Sequence, residues 1–215
     1  MSGGNSREIV VESGPAQLAE NTAARVITTL VTVLGMRPVA HLVLTGGGIL
    51  EEVMAAIRQL PARDSVDWDR VHVWWGDERF VPAASEDRND KAAFARLLSA
   101  LPLDPAKVHR MPAADGGFTE PEAAAQAYAD ELAAAVPPEH AAAGDDVPHF
   151  DLTLLGIGPD GHCASLFPEH PGVYEEQASV IAVRNSPKPP PIRLSLTFRA
   201  LDAAAEVWFV ASGSG

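Results

Sequence analysis

The sequence is short of cysteine, of positive charge and of long apolar runs, and each shortage excludes something. Cys163 is the only cysteine among 215 residues. No disulfide can form within the chain, and a reducing, cytoplasmic setting is the simplest reading. No stretch approaches the roughly 18 consecutive apolar residues of a membrane-spanning helix. The first residues, MSGGNSRE, lack the apolar segment of a secretion signal. Acids outnumber Lys and Arg by 29 to 16, a formal net charge of −13. That argues against nucleic acid or an anionic membrane as partner. A small anionic substrate is compatible with it, provided basic groups gather locally.

Several enzyme signatures are also missing. Thr45-Gly46-Gly47-Gly48 lacks the spaced G-x-G-x-x-G of a dinucleotide site, and no G-K-[ST] follows it. One cysteine and scattered histidines give no zinc pattern, so no metal is expected. The nearest approach to a G-x-S-x-G nucleophile elbow is Gly213-Ser214-Gly215, which does not fit. Any hydrolysis would therefore use activated water rather than an acyl-enzyme.

What is present is organised around Phe150–Phe167, FDLTLLGIGPDGHCASLF. The run Phe150–Leu155 is apolar except at Asp151 and Thr153, the pattern of a strand buried on both faces. It breaks into Gly156, Gly158, Pro159 and Gly161, which let the backbone turn sharply and approach a ligand. The loop carries Asp160 and His162 just past the strand's C-terminal end, where open parallel sheets bind ligands. Imidazole titrates near neutral pH, so His162 is the candidate proton-transfer group. Asp160 or Asp77 could orient it. The competing reading is a loop histidine that only bonds its neighbours. The other six histidines, among them His72, His109 and His170, keep that reading.

Elsewhere, helical and extended patterns alternate. Glu8–Val11, Val39–Leu44, Arg70–Trp75 and Val108–Met111 read as strands, as do Ser179–Val183, Ile192–Phe198 and Glu206–Ala211. Ser13-Gly14-Pro15 opens a helix with Ser13 as its cap, and Gly35 ends it. Ile49–Leu60 and Arg88–Leu101 follow as helices. Glu120–Ala135 is a third, behind the capping box Thr119-Glu120-Pro121-Glu122. Pro137–Pro148 is a polar loop, and Ser186–Pro191 is stiff and extended. The alternation predicts one α/β domain over residues 1–215. Its open sheet is mostly parallel, with helices on both faces, and the short connections near the end allow an antiparallel part.

Two segments offer anion sites. Thr45–Gly48 sits between a strand and a helix N-terminus, where free amides and the helix dipole favour negative charge. A plain tight turn is the alternative. Arg79 follows Asp77 and Glu78 directly after a buried strand. Arginine can grip a phosphate through two parallel hydrogen bonds, or pair with those carboxylates. Lys188 and Arg193 flank the proline run and would either complete a basic pocket or solvate a loop. Trp74 and Trp75 read as core.

Together these segments resemble the 6-phosphogluconolactonase family. The likeness lies in LTGGG at Leu44–Gly48 and in WWGDERFVP at Trp74–Pro82, with Ser85 and Asn89 beyond it. It continues in LLGIGPDGHCASLFP at Leu154–Pro168 and SPKPPPIRLSLT at Ser186–Thr197. The related glucosamine-6-phosphate deaminases share a similar DGH loop but continue it into an FNEP-like sequence, where this chain reads SLFP. Two departures stand out. The family's first loop usually reads SGGSTP, and here it is TGGGIL; the amide cradle survives that change. Family members also continue past the strand at Glu206–Ala211 with a lysine-bearing helix and a closing segment. This sequence stops at Gly215, so either the chain is incomplete or the C-terminal edge of the fold is absent and apolar surface is exposed.

The resemblance implies a NagB/RpiA/CoA-transferase-like fold. It also implies hydrolysis of 6-phosphoglucono-1,5-lactone to 6-phosphogluconate, with no cofactor. Thr45, Gly46, Gly47 and Gly48, with Arg79, Arg193 and Lys188, would hold the phosphate. His162 would activate water, tuned by Asp160 or Asp77. The partner would be a phosphorylated sugar lactone, and the chain is expected to act as a monomer, with an oligomer left open. Two alternatives stand beside this: a glucosamine-6-phosphate deaminase with Asp77 as its base, and a non-catalytic sugar-phosphate-binding protein.

Overall fold

The computed structural model describes residues 7–213. Residues 1–6 and 214–215, which hold most of MSGGNSRE and part of Gly213-Ser214-Gly215, lie outside it. The elements in order are α1 (Pro15–Met36), β1 (Ala40–Leu44), α2 (Gly48–Gln59), β2 (Val71–Trp75), β3 (Asp77–Arg79), α3 (Asn89–Arg96) and β4 (Val108–His109). They continue with α4 (Pro121–Ala134), α5 (Pro138–Ala141), β5 (Phe150–Gly156), β6 (Val180–Val183), β7 (Arg193–Leu196), α6 (Phe198–Leu201) and β8 (Ala204–Val210).

Five strands form a wholly parallel sheet in the order β4-β2-β1-β5-β8. The other three form a small antiparallel sheet, β3-β7-β6. Crossover handedness explains the layering. From β1 through β2 to β4 the chain steps one way across the sheet, so right-handed crossovers put α2 and α3 on one face. From β4 to β5 it returns past two strands, which puts α4 on the other face. Accordingly α1, α2 and α3 pack in series, while α4 lies against β6 and β7.

Burial follows from the apolar pattern. In α1 the side chains of Ala19, Ala23, Val26, Ile27, Leu30 and Leu34 point inward, at the spacing of one helical face. β5 is buried through Leu155. A fully buried side chain such as Leu152 is worth about 1.5–3 kcal/mol over leaving it in water. Tyr128 of α4 reaches the last residue of β2: its hydroxyl accepts the Trp75 N–H at 2.9 Å and lies 3.2 Å from the His109 carbonyl. Trp74 and Trp75 are both core, 0% and 1% exposed.

Several local expectations are corrected. Glu8–Val11 is not a strand; no ladder partner reaches it, and Ile9 and Val11 stand 89% and 86% exposed. Ser13 does not cap α1. Gly14 takes that position and supplies no side-chain bond, and Pro15 starts the helix. The helix runs one residue past Gly35, until Pro38 makes the helical conformation unfavourable for Arg37. The capping box of α4 does not form. Glu120 and Glu122 instead bind Arg184, beyond β6, at 2.6 and 2.7 Å. α3 ends at Arg96 and passes into a short 3-10 turn at Leu98–Ala100. Part of the Pro137–Pro148 loop is helical, as α5. The antiparallel part is a sheet of its own, and it recruits Asp77–Arg79, which the sequence pattern left in a loop. β8 returns to the parallel sheet as an edge strand, with Phe209 57% exposed.

On the α4 side of the sheet, ring planes stack. His41 lies on His72, His72 on His109, and Trp74 on His109. The Trp74 Nε1–H donates to His41 Nδ1 at 3.1 Å, and His109 Nδ1 meets Glu131 at 2.6 Å. These are structural histidines. Burial, reinforced by the neighbouring imidazoles, holds His41 down at about 3 and His72 at about 4. A histidine kept neutral in the fold costs nothing above its unfolded value near 6.5. Below that value the unfolded chain takes up protons and the fold does not, so stability falls. Denaturant unfolding at pH 7.5 and 5.5 should show His41 alone costing about 1 kcal/mol at 5.5, while Glu78, raised to about 7 by burial, shifts stability the other way. In His41→Gln, which keeps an acceptor for Trp74, that share of the pH dependence should vanish. An unchanged pH dependence would show that His41 is not held neutral.

Candidate active site

β1 and β5 are neighbours, yet the chain leaves them in opposite directions, toward β2 and toward β8. Their C-terminal ends therefore open a crevice at the switch point of the sheet. The loop after β1 carries Thr45–Gly47, and the loop after β5 carries Ile157–His162. Between them lies a cleft of about 480 Å³, closed on a third side by the antiparallel sheet. Thr45, Gly46, Gly47, Gly48, Asp77, Arg79, His162, Lys188 and Arg193 all line it. Asp160 stands behind His162. A larger hollow, about 870 Å³, lies near the opposite ends of the strands, but its arginines are already paired, Arg37 with Asp151 at 2.8 Å and Arg199 with Asp146 at 2.5 Å.

The glycine loop forms one wall. Gly47 has a φ of +124°, which favours glycine, and precedes α2 without any side-chain cap. The first-turn amides of a 12-residue helix therefore face the cleft unpaired by the chain. Gly46 must lack a side chain, because a Cβ there would lie 2.0 Å from Asn89 Oδ1. The Thr45 hydroxyl is turned away from the cleft and donates to the Leu154 carbonyl at 3.0 Å, tying β1 to β5. This loop thus offers main-chain donors only.

The antiparallel sheet forms the second wall. Along β3, alternate residues face opposite ways. Asp77 and Arg79 share one face, where β7 sets Ser195 and Arg193 directly opposite them. Arg79 Nη1 donates to the Asp87 carbonyl at 2.9 Å and to Asn89 Oδ1, while its Nε is buried without a partner. Arg193 is 4% exposed and bonds the carbonyls of Lys188, Pro189 and Pro190, each at 3.2 Å. Glu78 points the other way. Its carboxylate accepts the amides of Arg79, Asn89 and Asp90 at 2.8, 2.7 and 2.9 Å, and so fastens the start of α3. Burial pushes it up to about 7, against the pull of Arg88 and these amides.

His162 forms the third wall. Its loop is closed by Gly158 N–H to the His162 carbonyl and Gly161 N–H to the Gly158 carbonyl, both 2.9 Å. The imidazole folds back over Gly158, where a Cβ would lie 2.0 Å from His162 Cε1. His162 Nδ1 is 2.5 Å from Asp160 Oδ1, and Lys188 Nζ is 3.4 Å from the same oxygen. The hydrogen bond from His162 is the main reason that the Asp160 carboxyl falls to about 2. A carboxylate can only accept, so Nδ1 carries the proton and Nε2 is left as the basic nitrogen. Asp77 pairs elsewhere: its carboxylate accepts the Ser165 hydroxyl at 2.7 Å and faces Asn89 Nδ2 at 3.3 Å. Of the two acids offered by the sequence, Asp160 is the one bonded to the histidine.

The residues that reasoning from pattern passed over are Glu78, Ser165 and the structural role of Asn89. Their one sequence signal is the two-residue period of Asp77-Glu78-Arg79, which sends Glu78 to the back. Among the described residues, no three of His, Cys, Asp or Glu gather so as to hold a metal ion. No helix among them is long and apolar enough to cross a membrane. Chemically, the cleft combines a carboxylate-oriented base with main-chain and guanidinium donors suited to an anion.

Known proteins share this arrangement of elements. The 6-phosphogluconolactonase of Streptomyces coelicolor is 52% identical over 207 residues, 96% of this chain and 78% of that protein. The 6-phosphogluconolactonase of Mycobacterium leprae is 41% identical, over 97% of this chain and 82% of its own length. Among solved structures, 6-phosphogluconolactonase from Trypanosoma brucei superposes with a TM-score of 0.77 at 26% identity, over 97% of this chain and 82% of that one. The enzyme from Thermotoga maritima gives 0.75 at 27% identity, over 89% and 78%. A family model described as glucosamine-6-phosphate isomerases/6-phosphogluconolactonase matches residues 13–215, and the chain belongs to that family.

Proposed function

We infer that this chain is a lactone hydrolase that converts 6-phosphoglucono-1,5-lactone to 6-phosphogluconate, the second step of the oxidative pentose phosphate pathway. The names and identities of its relatives support the activity. One structural observation supports the site: Arg79 and Arg193 stand opposite each other across β3 and β7, beside the N-terminus of α2 and in the same cleft as His162. Like charges directly opposite on a sheet repel. A bound phosphate removes that repulsion and takes up the free amides of Gly46–Gly48. Lys188, at the rim, adds a third cation. The lone, buried Cys163 fits a cytoplasmic enzyme.

With the phosphate held there, the lactone ring extends toward His162. Nε2 takes a proton from water, and the resulting hydroxide adds to the lactone carbonyl carbon. The carbonyl oxygen becomes a tetrahedral oxyanion. As the intermediate collapses, the bond from the carbonyl carbon to the ring oxygen breaks, and the ring oxygen takes the proton back from His162. Asp160 keeps Nδ1–H in place and balances the transient imidazolium.

Acid release from freshly made 6-phosphogluconolactone, measured above the spontaneous rate, tests both halves. His162→Ala should lower kcat by about 10²–10⁴-fold. A variant with nearly full activity would remove His162 from the mechanism. Arg79→Ala should raise KM for the phosphorylated lactone by about tenfold or more and leave glucono-1,5-lactone, which lacks the phosphate, nearly unaffected. Equal losses on both substrates would reject Arg79 as a phosphate ligand.

A further inference from the structure

We propose that Asn89 is a positioning residue that fixes Arg79 and the glycine loop at one separation, and thereby sets the preference for a phosphorylated lactone. The inference rests on the phosphate reading above. Asn89 is the first residue of α3 and is 3% exposed. Its side chain joins β3 to the glycine loop, 43 residues back in the sequence. Nδ2 donates to the Asp77 carbonyl at 2.9 Å, with the Asp77 carboxylate at 3.3 Å. Oδ1 accepts from Arg79 Nη1. On its third side the same oxygen lies against Gly46, in the space that a side chain there would fill.

The amide is itself held from behind. The main-chain N–H groups of Asn89 and Asp90 are gripped by Glu78, and Arg88 bonds Asp90 at 3.0 Å. Asn89 therefore cannot follow Arg79 if Arg79 swings; Arg79 must stay with Asn89. A free arginine has many rotamers to lose on binding an anion. Two acceptors on Nη1, Asn89 Oδ1 and the Asp87 carbonyl, impose that loss at folding instead, so the rest of the guanidinium is already in place. Asn89 also sets how near Gly46 comes, and so the gap between amide cradle and guanidinium. That gap selects a group of phosphate size.

Steady-state kinetics on wild type, Asn89→Ala and Asn89→Asp, with the phosphorylated lactone and with glucono-1,5-lactone, test this. In Asn89→Ala, KM for the phosphorylated substrate should rise about tenfold to a hundredfold. Its kcat should hold within about threefold, and the unphosphorylated lactone should be unaffected. Competitive inhibition by inorganic phosphate should weaken in parallel. Asn89→Asp keeps the volume but turns Arg79 into an ion-pair partner, and should raise KM at least as far. If both variants keep the wild-type KM and phosphate inhibition, the proposal is wrong. It is equally wrong if kcat drops by the same factor on both lactones, the mark of lost folded enzyme. A wild type that does not distinguish the two lactones overturns the phosphate reading itself. A wild type that does, with variants that do so to the same degree, overturns the role of Asn89 alone.

Discussion

Two guanidinium groups face each other across β3 and β7, and electrostatics alone would drive them apart. The rest of the cleft is arranged so that they stay. Arg193 is tied down by three carbonyls of the proline-rich segment. Arg79 is tied down by the opening of α3. Main-chain pairing of Asp77 with Ser195 holds the strands in register, and the Asp77 carboxylate supplies the nearby countercharge. A protein with a net charge of −13 can thus present a concentrated positive spot, because the spot is built by backbone geometry rather than by bulk composition.

The histidine side follows a different logic. The imidazole is placed by exclusion as much as by attraction. It occupies the volume left open by Gly158, leans on the Phe167 ring at 4.6 Å, and is bonded on one nitrogen only. Asp160 lies two residues away in the same loop, so the imidazole and its carboxylate partner are placed together. The cationic side, by contrast, is assembled from three separate segments and depends on side-chain cross-links. The histidine side is encoded locally, while the cationic side is encoded in tertiary structure.

That division explains what could be read from the sequence. Strand β5, its DGH loop, the glycine loop and Arg79 were legible, because each stands immediately past a strongly apolar run. β3 was not. Three polar residues become a strand only because β7 arrives to pair with them, and no local pattern records that. Asn89 and Glu78 are 11 residues apart, joined by irregular chain, so their bond has no periodic signature. The capping box before α4 failed for the same reason in reverse, since Arg184, 64 residues from Glu120, offers it a charged partner. The Glu8–Val11 run has strand composition and no neighbouring strand. The Thr45 hydroxyl, equivalent on paper to a ligand contact, is turned to Leu154 by the closeness of β1 and β5.

The tie between Thr45 and Leu154 spans 109 residues, and that between Asp77 and Ser165 spans 88. The glycine-loop and antiparallel walls of the cleft are therefore closed by contacts between distant parts of the polypeptide. Such loops close late and slowly in folding. During synthesis the cationic wall lacks Arg193 until β7 has emerged, long after the glycine loop. An intact cleft requires that last antiparallel strand, so the cleft itself is a gauge of completed tertiary assembly.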